Sequence, residues 1–255
     1  MRISECTAVV TGGASGLGEA TVRMVVEAGG QAAILDLDEE RGLRTASELG
    51  EKAIFCKTDV VDERSVQAAM DKTFASFGAI HVAVNCAGIA PPAKVLGKNG
   101  PIPITLFNRV VQINLLGTMN VIRLSGEKML ENSPNTDGEK GVVVNTASAA
   151  AFDGQIGQAA YSASKAGVVG MTLPIAREFA EYGIRVMTIA PGLFETPMLA
   201  GLPEKAKASL GKMTPFPKRL GKPAEFAGLV KHIIENSMLN GEVIRLDGAL
   251  RMAAK

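Results

Sequence analysis

The sequence has no tryptophan, two tyrosines, two histidines and three cysteines among its 255 residues. Each scarcity removes a class of chemistry. The histidines, His81 and His232, lie far apart and no Cys/His zinc spacing exists, so no metal is expected. Cys6, Cys56 and Cys86 are odd in number and sit within or beside apolar runs, which reads as buried free thiols in a reducing compartment rather than a disulfide framework. No apolar run reaches the roughly 18 residues of a membrane span. With 27 Lys+Arg against 26 Asp+Glu, the net charge of +1 gives no electrostatic reason to expect nucleic acid or a membrane surface. A Walker A lysine motif and a G-x-S-x-G elbow are missing too. Between Met1 and the first strand-like run there is no room for a signal peptide, so the expected compartment is the cytoplasm.

What the sequence does have is alternation. Short, almost wholly apolar runs occur at Ala8–Thr11, Ala32–Asp36, Ile54–Lys57, His81–Asn85, Val142–Thr146, Arg185–Ala190 and Val243–Leu246. Such runs predict strands of a parallel sheet covered on both faces. Helical stretches lie between them near Gly16–Ala28, Glu39–Leu49, Glu63–Phe77, Leu106–Met129, Tyr161–Tyr182 and Ala224–Glu235. The pattern predicts an α/β, doubly wound Rossmann sheet. No linker divides it, so residues 1–255 read as a single domain. Two Pro/Gly-rich loops, Ala90–Thr105 and Asn132–Gly141, break the rhythm, as does Thr196–Gly221, an expected substrate lid. Pro174, four residues after Gly170, predicts a kink within a helix rather than its end.

Thr11-Gly12-Gly13-Ala14-Ser15-Gly16-Leu17-Gly18 follows the first strand and opens the first helix. Glycines there allow a tight turn and close backbone approach to a pyrophosphate, which then sits on the helix N-terminus. Asp36 ends the second strand, placed to accept from adenosine ribose hydroxyls and to repel a 2′-phosphate, which favours NAD over NADP. An aspartate at a strand end also serves as a helix cap, and Arg41 is a nearby cation. Asp59-Val60 and Asn85-Cys86-Ala87-Gly88 follow the third and fourth strands, at the sheet edge where such ligands bind.

Ser148 lies just past the fifth strand, and Tyr161 and Lys165 are four apart on one helical face. A carbonyl or alcohol reacting at a nicotinamide needs a proton donor or acceptor. Free tyrosine is a weak base at neutral pH, but a neighbouring ammonium and the positive nicotinamide ring favour the phenolate, which predicts a lowered Tyr161 pKa. The Ser148 hydroxyl can hold the substrate oxygen, and Asn114 is a candidate to hold a water linking Lys165 to solvent. Taken singly these residues have plainer readings: a serine after a strand is an N-cap, Tyr-x-x-x-Lys is common on helices, and Asn114 is a polar helix residue. It is their joint occurrence that points to chemistry.

T-G-G-A-S-G-L-G, N-C-A-G, Asn114, Ser148, Y-S-A-S-K and Pro191-Gly192, in that order, resemble the short-chain dehydrogenase/reductase family over essentially the whole chain. The resemblance implies a seven-stranded parallel sheet and a catalytic tetrad of Asn114, Ser148, Tyr161 and Lys165. V-N-T-A-S-A-A-A-F-D-G-Q, R-V-M-T-I-A-P-G-L-F and N-G-E-V-I-R-L-D-G-A are similar to the family's 3-hydroxyacyl-CoA dehydrogenase branch. That likeness implies NAD-linked interconversion of 3-hydroxyacyl-CoA and 3-ketoacyl-CoA, tolerance of steroid and other secondary alcohols, and a homotetramer. Animal members are mitochondrial, which adds the mitochondrial matrix as a compartment. It implies cofactor contacts from Ser15, Leu17, Asp36, Asp59, Val60, Cys86 and Phe194. The remaining cofactor candidates are Gly12, Gly16, Gly18, Asn85, Ala87, Gly88, Tyr161, Lys165, Pro191, Gly192 and Thr196.

Candidate substrate contacts are Ser148, Gln155, Tyr161, Met198, Leu199 and Leu202. Met198, Leu199, Leu202, Leu210, Met213 and Phe216 are expected to wall the site, and Lys94, Lys98, Lys205 and Lys212 to meet CoA phosphates. A non-catalytic scaffold role is a third reading, opposed by the complete tetrad.

Overall fold

Apolar runs too short for helices and too uniform for a half-wet sheet become covered strands. A computed structural model describes residues 1–98, 100–197 and 203–254. Its strands are β1 (Thr7–Thr11), β2 (Gln31–Asp36), β3 (Ala53–Lys57), β4 (Val82–Asn85), β5 (Gly141–Thr146), β6 (Ile184–Pro191) and β7 (Val243–Leu246). β1, β4, β5 and β6 are buried along their whole length. Within this seven-stranded sheet all pairings are parallel, in the order β3-β2-β1-β4-β5-β6-β7, and a separate short antiparallel ladder pairs Leu96–Gly97 with Gly100–Pro101. After β3 the chain crosses to the other side of β1, and that reversal opens a crevice at the carboxyl ends of the strands.

The helices are α1 (Gly16–Glu27), α2 (Glu39–Leu49), α3 (Glu63–Phe77), α4 (Ile104–Val111), α5 (Gly117–Met129), α6 (Ala159–Ala180), α7 (Glu204–Lys212) and α8 (Pro223–Glu235). Side chains alternate along each strand, so the sheet feeds two cores. Ala8 and Val10 of β1 pack with Val22 and Val25 of α1 and with Phe226, Val230 and Ile233 of α8. Val9 points to the other face, with Val66 and Met70 of α3, Val121 and Ile122 of α5 and Ile175 of α6. Each of the Val, Ile, Met and Phe side chains gains about 1.5–3 kcal/mol on burial. Local signals set the ends: Asp38 and Asp62 cap α2 and α3 by accepting from Arg41 N and Arg64 N, and left-handed Gly78 stops α3.

The expected pattern is interrupted at one point and filled in at others; the helix through Pro174, as expected, does not end there. The helix expected over Leu106–Met129 starts at Ile104 and is interrupted by a π-helical turn, Gln112–Leu116. α6 runs on through Pro174; Gly170, four residues back, has nothing near its Cβ position. The 196–221 excursion contains α7, and its neck is closed by Gly221, whose N–H donates to Leu193 O (2.8 Å) and whose carbonyl accepts from Glu195 N (2.9 Å). The 132–141 loop is pinned as well: Asn132 Nδ2 donates to Ile80 O, and Glu139 is buried against Arg185. Among the described residues, no helix is long and apolar enough to cross a membrane.

Candidate active site

The first turn is shaped by what glycine lacks. Gly12 has φ +62°, and a Cβ there would stand 2.9 Å from Ala87 N and 3.0 Å from the Cys86 carbonyl carbon. The ends of β1 and β4 therefore approach backbone to backbone, joined by Thr11 Oγ1, which accepts from Cys86 N (3.1 Å) and Ala87 N (3.2 Å). Asp36 braces the same turn: one carboxylate oxygen accepts from Ala14 N and the other from Asp38 N, both at 3.0 Å.

These groups border a cleft of about 1120 Å³. Gly12, Ser15, Gly16, Leu17 and Gly18 line it from the first turn, and Asp36, Asp59 and Val60 from the ends of β2 and β3. Cys86, Ala87 and Gly88 line it after β4, and Pro191, Gly192, Phe194 and Thr196 at the end of β6 and beyond. Ser148, Gln155, Tyr161 and Lys165 reach the same cleft from the β5–α6 connection and from α6.

Several expected residues do not reach it. Asn85 turns inward between β4 and β5, where its Nδ2 donates to Asn145 Oδ1 at 2.9 Å; register places the two side by side. Leu210, Met213 and Phe216 do not line the cleft, and Phe216 is 81% exposed. Lys94, Lys98, Lys205 and Lys212 do not line it either, whereas Arg109 of α4 does. Met198, Leu199 and Leu202 lie outside the described residues. Thr58, Gln112, Gln158 and Met252 line the cleft without having been anticipated. No spacing rule announces them, since they arrive through topology.

At the reacting end, Ser148 is both a cap and a free donor. Its Oγ accepts from Ala150 N at 3.1 Å, capping a short 3-10 turn, so its own O–H is left to donate elsewhere. Lys165 is 4% exposed, its Nζ donating to Thr146 O at 2.6 Å and standing 6.0 Å from the Tyr161 ring centre. Burial draws the Lys165 pKa down to about 8, opposed by the Cys86 thiol. The expected lowering of the Tyr161 pKa is not what the protein groups give. Burial raises it, and the hydrogen bond with Ser148 opposes the rise.

Asn114 sits in the π-helical turn and is fully buried. Its Oδ1 accepts from Ile89 N (2.8 Å), and its Nδ2 donates to Ile89 O (2.9 Å) and Ser164 Oγ (3.0 Å). The amide thus locks the segment after β4 against α6; it does not line the cleft. A Cβ on Gly88 would lie 3.1 Å from Asn114 Oδ1 and 3.6 Å from Lys165 Nζ, which makes Gly88 the spacer between the two. π turns concentrate at functional sites, but nothing in the local residue pattern announces this one.

The short chain dehydrogenase pattern matches residues 6–207. The chain belongs to the short-chain dehydrogenase family. It is 56% identical to a 3-hydroxyacyl-CoA dehydrogenase type-2 of Drosophila melanogaster over 252 residues, covering 98% of this chain and 99% of that one. A crystal structure of 3-hydroxyacyl-CoA dehydrogenase type-2 from Mycobacterium avium superposes with a TM-score of 0.94 at 42% identity, covering 98% of this chain and 97% of that one. A 3-ketoacyl-(acyl-carrier-protein) reductase from Brucella melitensis, complexed with NADH, gives a TM-score of 0.86 at 27% identity, with 97% and 98% covered. The expected family and the doubly wound parallel sheet are therefore those found. Within this short-chain dehydrogenase, the Tyr161–Lys165 pair and the glycine turn share one cleft.

Proposed function

We propose that this chain is an NAD(H)-dependent dehydrogenase that interconverts 3-hydroxyacyl-CoA and 3-ketoacyl-CoA. The observation that carries the reading is that Ser148, Tyr161 and Lys165 open onto the same cleft as the glycine turn and Asp36. The high identity to 3-hydroxyacyl-CoA dehydrogenases supports the substrate class.

The residues present fit a nicotinamide dinucleotide. Gly12, Ser15, Gly16 and Leu17 line the cleft at the start of α1, where the helix N-terminus can take a pyrophosphate. The Asp36 carboxylate keeps lone pairs for ribose hydroxyls and repels a 2′-phosphate, which favours NAD. When bound, the dinucleotide takes or returns the hydride.

The protein handles the oxygen and its proton. The Ser148 O–H holds the reacting oxygen, and Tyr161 Oη removes its proton in oxidation and returns it in reduction. Lys165, held at the Thr146 carbonyl with its Nζ 6.0 Å from the Tyr161 ring centre, puts a positive charge near the phenol; together with the positive ring of a bound nicotinamide it would oppose the rise that burial imposes on Tyr161. Asn114 holds the segment between β4 and α4 against α6, which keeps Lys165 in place.

Residues 196–221 act as a lid within the single domain 1–255. The working form is a homotetramer in the cytoplasm or the mitochondrial matrix; exposed Met119 of α5 and Leu173 of α6 are apolar side chains that such an assembly could cover. Mixing the pure protein with NADH and acetoacetyl-CoA tests the activity: NADH is consumed if the reading is right, and no consumption contradicts it. Comparing kcat/KM across acyl-CoA esters and free secondary alcohols, steroids included, separates the substrate classes. Sedimentation velocity tests the tetramer.

A further inference from the structure

Met252 lines the cleft although neither cofactor binding nor proton transfer calls for it. It lies in segment 250–254, which follows β7 and runs beside the loop between β5 and α6. Two hydrogen bonds hold it there: Gln155 Nε2 donates to Ala253 O and Ile156 N donates to Ala254 O, each at 3.0 Å. The root of the segment is fixed by Arg245. Its guanidinium donates to Asp247 (2.6 Å), to Asp153 of the same loop (2.6 Å) and to Leu250 O (2.9 Å), and it lies 5.1 Å from the centre of the Phe152 ring. Leu250 is buried, whereas Met252 is half-buried. Loop and segment are thus tied together at both ends, immediately before the helix that carries Tyr161.

We infer that residues 250–254 are a strap that sets which substituent the reacting carbon can carry, with Met252 as its specificity residue and Gln155 as the residue that positions it. The inference rests on the dehydrogenase reading above. Met252, Ala149, Ala150 and Leu193 each add apolar surface to the cleft. Such a surface seats acyl carbons and offers nothing to the CoA phosphates. Each methylene that it covers is worth about a fourfold gain in binding. Methionine is unbranched and adaptable, so it suits chains of several lengths. Gln155, expected on the substrate, spends an amide N–H on the strap instead.

The test measures kcat/KM with NADH for short, medium and long 3-ketoacyl-CoA esters. Met252→Trp should lower the long-to-short ratio by about tenfold, and Met252→Ala should raise it. Gln155→Leu should shift the ratio as Met252→Ala does, through KM for the long esters, and should add nothing in the Met252→Ala background. A ratio within twofold of the wild type in both Met252 variants would overturn the strap. Full additivity of Gln155→Leu and Met252→Ala would overturn the positioning role. If the wild type reduces no CoA ester, it is the substrate reading that fails, and the same ratios are then read on secondary alcohols of increasing length with NAD. Circular dichroism checks folding, and Met252→Phe replaces Met252→Trp if the larger ring prevents it.

Discussion

Arg185 and Lys165 are both buried cations, 6% and 4% exposed, and the fold treats them in opposite ways. Arg185 Nε donates to Glu139 at 2.6 Å, Nη1 donates to Ile233 O and Leu239 O at 2.8 Å each, and Nη2 donates to Ile234 O at 3.0 Å. Its charge is matched and its donors are used, so the 132–141 loop, β6 and α8 are fastened together. Lys165 has one backbone carbonyl and, among the described residues, no carboxylate in ion-pair range. Its pKa is drawn down to about 8. The first cation is compensated where it fastens the fold; the second is left uncompensated at the cleft, where the proposed reaction uses its charge.

The largest effect should come from breaking the compensated site. Glu139→Ala leaves Arg185 buried without its partner and should cost about 3–5 kcal/mol of stability. Urea unfolding reads that loss, and turnover per folded molecule should stay near wild type because the cleft is elsewhere. Equal stability in the variant would show that the ion pair does not fasten the fold.

Lys165→Met sharpens the comparison from the other side. Turnover should fall by about 10²–10⁴-fold. Stability should respond to pH, and the sign follows from the depressed pKa. Between about 8, the folded value, and 10.5, the ordinary one, the unfolded chain holds a proton that the folded chain has released. Wild-type stability relative to the variant should therefore rise as pH climbs through that window, by up to roughly 3 kcal/mol. Paired urea midpoints at about pH 7 and about pH 9.5 check this, and a difference that shrinks with pH would contradict it.

A smaller effect belongs to Asp36, whose backbone bonds an amide oxygen can partly keep. Asp36→Asn removes the charge that repels a 2′-phosphate, and the preference for NADH over NADPH should narrow by about tenfold. The kcat/KM ratio of the two cofactors is the measurement, and an unchanged ratio would remove Asp36 from cofactor choice.

The two cations also show how far the sequence could be read. Tyr161 and Lys165 were legible because helical periodicity puts positions four apart on one face, and the turn at residues 11–18 because glycine spacing reports a backbone need directly. The seven strands were legible because wholly apolar runs have one stable home, a covered parallel sheet. Asn85 was misplaced because the direction of a strand-end side chain depends on register with Asn145, which no local pattern encodes. The Arg185–Glu139 pair joins positions 46 apart in the chain, and Met252 reaches the cleft only after the whole sheet is built. The Tyr161 pKa ran against expectation because burial is a property of the fold, and the bond Lys165 makes to Thr146 O could not be read from spacing.

In the proposed mechanism the phenol of Tyr161 is the group that moves the proton. The direct test is kcat of Tyr161→Phe with acetoacetyl-CoA, beside the NADH dissociation constant of the same variant. A fall of about 10³-fold or more in kcat, with NADH binding within about twofold of wild type, is the expected result. If the variant keeps more than about a tenth of wild-type turnover, another group carries the proton and the mechanism proposed for this cleft is wrong.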